Sequence, residues 1–155
     1  MDLITVDDYM QAPIVPPDFA YRYGDDPNQF GELFLPESDD SFPVIIMLHG
    51  GCWREQYGLK PIGSMCRTLA DEGFAVWNIE YRRAGNGGDY PNMFLDVAHA
   101  ADYLRTIADK NRLNLDHVLA VGHSAGGQLA LWLAGRKNIP TSSAIYMEVP
   151  LPIHG

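Results

Sequence analysis

Ser124 stands in the pentapeptide Gly122-His123-Ser124-Ala125-Gly126, between an apolar run at residues 118–121 and a helix-compatible segment at residues 128–136. A serine held on a sharp strand-to-helix turn is pushed clear of the backbone, where it can attack a carbonyl once a base takes its proton. The turn is tight enough that the residues two positions to either side of the serine must lack a Cβ, and glycines stand at 122 and 126. The helix that follows would turn unpaired N–H groups and the positive end of its dipole toward a charge developing near Ser124. Acyl transfer passes through a tetrahedral intermediate with negative charge on the former carbonyl oxygen. One backbone N–H aimed at that oxygen is worth about 3 kcal/mol. A second stretch suits this need: the apolar run 44–48 ends in His49-Gly50-Gly51-Cys52-Trp53, where adjacent glycines let the main chain approach closely.

Positioning these two stretches requires strands that end side by side. Residues 19–23 and 30–35 predict an antiparallel pair at a sheet edge, separated by the turn-rich Gly24-Asp25-Asp26-Pro27-Asn28. Residues 44–48 and 74–79 predict buried strands, with a helix at 61–72 between them. In that helix Ile62, Met65, Cys66 and Leu69 fall at helical spacing, Pro61 suits the first turn and Gly73 the cap. Met93, Val97, Ala101, Leu104 and Ala108 step by three or four and predict one buried face of a helix over 92–111. The alternation is that of an α/β domain with a mostly parallel sheet and right-handed crossovers, in which ligands sit at the carboxyl ends of the strands. Three prolines at 13, 16 and 17 discourage regular structure in residues 1–17, which read as a surface arm.

Together the two motifs resemble the α/β-hydrolase family, in its esterase/lipase members with an HGG-x-W loop, a group that includes feruloyl or acetyl esterases and kynurenine-formamidase-like enzymes. The resemblance runs from about residue 30 to the end of the chain and implies a three-layer sandwich, incomplete at its C-terminal side. It implies Ser124 as nucleophile, oxyanion N–H groups from Gly51, Cys52 and Ala125, a turn at Gly50, and a structural hydrogen-bonding role for His49. It also implies a small-molecule ester or amide substrate, with an aryl formamide as the alternative to a carboxylic ester. Trp53 and Tyr57 follow the loop and are expected on the substrate pocket, or else in ordinary aromatic packing. No cofactor or metal is expected.

In this family the acid and histidine follow the serine in the chain. Glu148 and His154 come in that order, yet residues 137–152 carry Pro140, Pro150 and Pro152 and read as a connection rather than as further strand–helix units. The expectation is therefore a partial domain that carries the nucleophile and the oxyanion loop, with the acid and base supplied by residues not present. Either its activity is impaired, or it is a catalytically silent domain that binds a ligand or partner. Beyond the elbow strand the sheet would have an unpaired apolar edge, which predicts self-association, a covering rearrangement or dependence on a further segment.

Bulk properties narrow the alternatives. A length of 155 residues with 46% hydrophobic content suits one domain. A net charge of -9, with no basic cluster longer than Arg82-Arg83, disfavours nucleic acid. The glycine-rich stretch 84–89 has neither of the phosphate-binding spacings, which disfavours a nucleotide or flavin protein. Cys52 and Cys66, in different elements, read as free thiols; with no membrane span and no basic or apolar leader pattern, a cytoplasmic protein is expected.

Overall fold

The computed structural model describes residues 5–155, so the first four residues of the expected arm lie outside the described residues. Five strands form one sheet in the order β1-β2-β4-β3-β5: β1 Phe19–Arg22, β2 Phe30–Phe34, β3 Phe42–Leu48, β4 Ala75–Ile79 and β5 Leu113–Gly122. β2 is antiparallel to both β1 and β4, while β3 runs parallel to β4 and β5. Four strands thus share one direction and only β2 opposes them.

β3 and β4 are apolar, apart from the buried Asn78 of β4, because both faces of the sheet are covered. Side chains alternate across the pleat. Val44, Ile46 and Leu48 join one core with Trp77 and Ile79, against helices α3 (Asn92–Asp102), α4 (Leu104–Ile107) and α5 (Ala125–Gly135). Ile45, Met47 and Val76 face the other way, against Cys66 and Ala70 of α2 (Gly63–Asp71). The result is three layers. Trp77 Nε1–H crosses between two of them to the carbonyl of Ala100, at 2.9 Å.

Some expected elements change in detail. The helix expected at 61–72 starts as a 3-10 turn at Lys60–Ile62, and the one expected at 92–111 is broken into α3, α4 and a 3-10 turn at Asp109–Asn111. Within the expected arm lies a one-turn helix, α1 (Val6–Met10), closed by a reciprocal Thr5–Asp8 capping box. Tyr9 and Val15 pack against the α2-side core, so the arm is anchored at both points.

The edge of β5 is partly covered by the chain's own tail. His154 N–H bonds to Val118 O at 2.7 Å, and Ala120 N–H bonds to Gly155 O at 2.8 Å. Leu151 is buried in the larger core, and its N–H bonds to Asp102, the carboxylate that also pairs with Arg136.

Candidate active site

β5 delivers the chain at Gly122 to a turn that is closed by a bond from Gly126 N–H to His123 O, at 2.9 Å. Ser124 has φ 52° and ψ -117°, the conformation of the first central residue of a type II′ turn, where glycine is the usual occupant. Holding a serine there costs about 1–3 kcal/mol. α5 begins at the next residue, and its first bond runs from Gln128 N–H to Ser124 O at 3.2 Å. The flanking glycines are required by space. A Cβ on Gly122 would stand 2.2 Å from the carbonyl carbon of Gly126, and one on Gly126 would stand 2.1 Å from Leu48 O. The start of α5 is thus pressed against the end of β3, and the Ser124 side chain is left exposed.

The loop after β3 is also wound against its preference. Gly51, Cys52 and Trp53 have φ 118°, 52° and 58°, and Arg54 N–H closes the turn on Gly51 O at 3.0 Å. Both central residues have the positive φ of a type I′ turn, although neither is glycine. Strain of this kind clusters where geometry serves function. This loop and the elbow touch: a Cβ on Gly50 would stand 2.7 Å from His123 O and 3.3 Å from Ser124 Cβ.

Between them lies a cavity of about 180 Å³, lined by Gly50, Gly51, Cys52, Tyr57, His123 and Ser124, with Tyr9 reaching in from the arm. Ala125 is buried at the first position of α5. The structure therefore brings Ser124, Gly51 and Cys52 to one cavity with Tyr57 on its wall. Trp53, expected on the pocket or else in aromatic packing, stands apart from Tyr57. It lies outside this lining and is 42% exposed, because the left-handed turn carries it toward residue 84, whose N–H bonds to Trp53 O at 2.9 Å.

Beneath the loop is a buried ionic cluster that sequence reasoning missed. His49 is fully buried and stacked on Tyr81, with ring centroids 4.4 Å apart. Its Nδ1 lies 2.8 Å from Gly50 O and must carry a proton there, since a carbonyl only accepts. Its Nε2 lies 2.9 Å from Glu80 Oε1 and 3.2 Å from the Arg83 guanidinium. Glu80 also pairs directly with Arg83, and accepts Tyr81 N–H at 3.0 Å and Leu59 N–H at 3.2 Å. Burial alone would raise the Glu80 carboxyl, but the His49 hydrogen bond, the His49 and Arg83 charges and the Tyr81 N–H outweigh it and hold the group below its usual range.

This cluster sets the aim of the loop amides. In a trans peptide C=O and N–H point in opposite directions, so pinning Gly50 O with His49 also directs Gly51 N–H. Tyr81 O–H bonds to His49 O at 2.7 Å and directs Gly50 N–H in the same way. A signal was present in the sequence: β3 and β4 pair Leu48 with Ile79, so the next residues, His49 and Glu80, leave the sheet as neighbours.

His154 is held elsewhere. Its Nδ1 accepts Val118 N–H at 3.1 Å, six residues before Ser124 along the chain. Among the described residues, no group of three or more His, Cys, Asp or Glu side chains is placed to hold a metal, and no helix is long and apolar enough to cross a membrane.

Comparison with known proteins places the chain in a family. The BD-FAE family profile matches residues 32–148, which include both the loop and the elbow. The chain belongs to the BD-FAE family. This BD-FAE chain is 32% identical over 145 residues to esterase LipC of Mycobacterium tuberculosis, an alignment that takes in 86% of the chain and 35% of LipC. It superimposes on esterase B of Lactobacillus rhamnosis with a TM-score of 0.68 at 32% identity, over 81% of this chain and 42% of that one. An esterase of Thermogutta terrifontis gives a TM-score of 0.74 at 19% identity over 89% of this chain and 52% of that one, a likeness of fold alone. The chain thus has the α/β-hydrolase fold and spans about a third to a half of the length of these relatives.

Proposed function

We propose that Ser124 is the nucleophile of a carboxylesterase-type hydrolase acting on a small acyl ester, with the N–H groups of Gly51, Cys52 and Ala125 receiving the oxyanion. The observation that carries this reading is the backbone of Ser124. A residue forced to φ 52° and ψ -117° at the mouth of a cavity beside a second strained loop is explained by the need to present its hydroxyl there. A cavity of about 180 Å³ suits a short acyl group. The hydroxyl attacks the ester carbonyl, the carbonyl oxygen becomes the oxyanion, and collapse expels the alcohol to leave an acyl-serine that water then cleaves.

His49 has both ring nitrogens engaged, by Gly50 O and Glu80, and His154 is tied through its Nδ1 to Val118, six residues before Ser124 along the chain, so neither supplies the proton acceptor in this reading. The reading therefore includes an impaired site, in which the base and its acid come from residues other than these. Without them the oxyanion donors and binding leave roughly 10³–10⁴-fold acceleration over water. The same engagement of both histidines favours a second reading, a silent domain that binds through the cavity.

Labelling with an ethyl fluorophosphonate separates the two. A slow, stoichiometric adduct on Ser124 is expected, faster as pH rises and the alkoxide fraction grows, and lost in Ser124→Ala. No adduct, or one on another residue, would remove the nucleophile reading and leave the silent one.

A further inference from the structure

A second cavity, of about 350 Å³, adjoins the first, and Tyr57 and Gly58 belong to the linings of both. Its volume falls in the range of small-molecule sites. The arm supplies one side: between the anchors Tyr9 and Val15, the residues Met10, Ala12 and Ile14 line the cavity, with Met10 and Ile14 exposed to solvent. Phe30 and Leu59 supply apolar wall opposite.

Glu80 and Arg83 also border this space, but they are paired with each other and with His49, so their charges are already matched. An ionic ligand would find no free countercharge in that pair, and the other charged lining residues, Glu55 and Lys60, are of opposite sign and exposed to solvent. An uncharged apolar chain would displace water from Met10, Ile14 and Phe30, with the buried Leu59 behind them, without breaking an ion pair. The arm that covers the cavity also contributes Tyr9 to the Ser124 cavity, so one segment borders both spaces.

We propose that this second cavity is a binding site for the larger, uncharged apolar group of the ester, reached from Ser124 past Tyr57, with the arm residues Met10, Ala12 and Ile14 as its cover. The proposal rests on the nucleophile reading for the identity of its ligand as substrate. Tyr57 is then the divider that sorts esters by size: a short group stays on the Ser124 side, and a longer one extends beyond the ring.

The test compares ethyl and octyl fluorophosphonates. Each methylene moved out of water contributes about fourfold, so an octyl group that reaches the second cavity should label at least about tenfold faster than ethyl. Filling the cavity from the arm side, with Ala12→Trp or Met10→Trp, should lower the octyl-to-ethyl rate ratio about tenfold. Two filling variants are used because either could disturb the arm. A ratio that stays the same in both overturns the proposal.

A measurement independent of the nucleophile keeps the two readings apart. Octan-2-one, a neutral chain that is not an ester, is titrated into Ser124→Ala and followed by ligand-observed NMR. Binding that weakens about tenfold when Ala12→Trp is added supports the cavity even if neither phosphonate reacts. No binding, or binding indifferent to the tryptophan, overturns it.

Discussion

Replacing Glu80 by alanine tests whether a carboxylate below the loop holds the loop in place. The Arg83 side chain is only 5% exposed, and Glu80→Ala would leave its charge buried without its carboxylate partner. Breaking one side of such a pair costs about 3–5 kcal/mol. For a chain of this size each kcal/mol shifts Tm by about 2–4 °C, so a fall of about 6–20 °C is expected. His49 loses its Nε2 partner at the same time, and Gly50 O is then held by an imidazole that is free to turn. A hydrogen bond to a charged group contributes about 1.5–3 kcal/mol, which corresponds to about 10- to 150-fold in a local opening equilibrium. Amide exchange at Gly51 and Cys52, read by NMR, should accelerate by that order.

A paired control separates loss of stability from loss of aim. Glu80→Leu with Arg83→Met replaces the ion pair by apolar groups, an exchange that is often neutral or stabilising. The double variant should recover most of the Tm but retain fast exchange at Gly51, because His49 still lacks its anchor. The acid limb offers a third readout. Since the folded Glu80 carboxyl lies below its ordinary value, its contribution is fully present above the unfolded value of about 4.3 and is lost as pH falls through the folded one. Glu80→Gln should therefore lose less stability than wild type on acidification below about pH 4. If Glu80→Ala shifted Tm by less than about 2 °C, or Gly51 exchanged at the wild-type rate, the account of the loop given above would be wrong.

Ser124→Gly should relieve the turn. Set against the extra chain entropy of glycine, a net gain of about 1 kcal/mol, or about 2–4 °C in Tm by calorimetry, is expected together with complete loss of phosphonate labelling. Gly126→Ala should do the opposite, since its Cβ would meet Leu48 O at 2.1 Å, and a loss of about 3 kcal/mol is expected in urea titration. The thiols should differ sharply toward Ellman's reagent at pH 8. Cys52 is exposed, whereas burial, with the nearby Glu32 charge, pushes Cys66 up to about 12, so one thiol should react in the native protein and two after unfolding. Carbamidomethylation of Cys52, located by mass spectrometry, should slow phosphonate labelling at least about tenfold by filling part of the Ser124 cavity.

How far the site could be read from the chain depends on the range over which each residue is held. The Ser124 turn is built from five consecutive residues, so the glycines at 122 and 126 announce it, even though the space that Gly126 leaves is taken by Leu48 of β3. The apolar runs of β3 and β4 are equally plain, because burial on both faces keeps these strands almost wholly apolar, with Asn78 the one exception. β5 is harder. Its first half carries Asn114, Asp116 and His117, and only the pairing of Leu113 and Asn114 with Phe42 and Pro43, across a register shift before Val44, extends it beyond the apolar stretch. The break after Asp102 is harder still. That carboxylate takes bonds from Arg136 and from Leu151 N–H, 34 and 49 residues away, and no window along the helix contains those partners. The Glu80 cluster lies between these cases: His49 and Glu80 are 31 residues apart, yet each follows directly on a strand of the same register. A charged residue placed one step past a buried strand, level with a histidine one step past its neighbour, has that histidine within reach as a partner. Reading strand ends in pairs rather than singly would therefore have exposed the group that aims the loop, whereas the contacts of Asp102 required the fold itself.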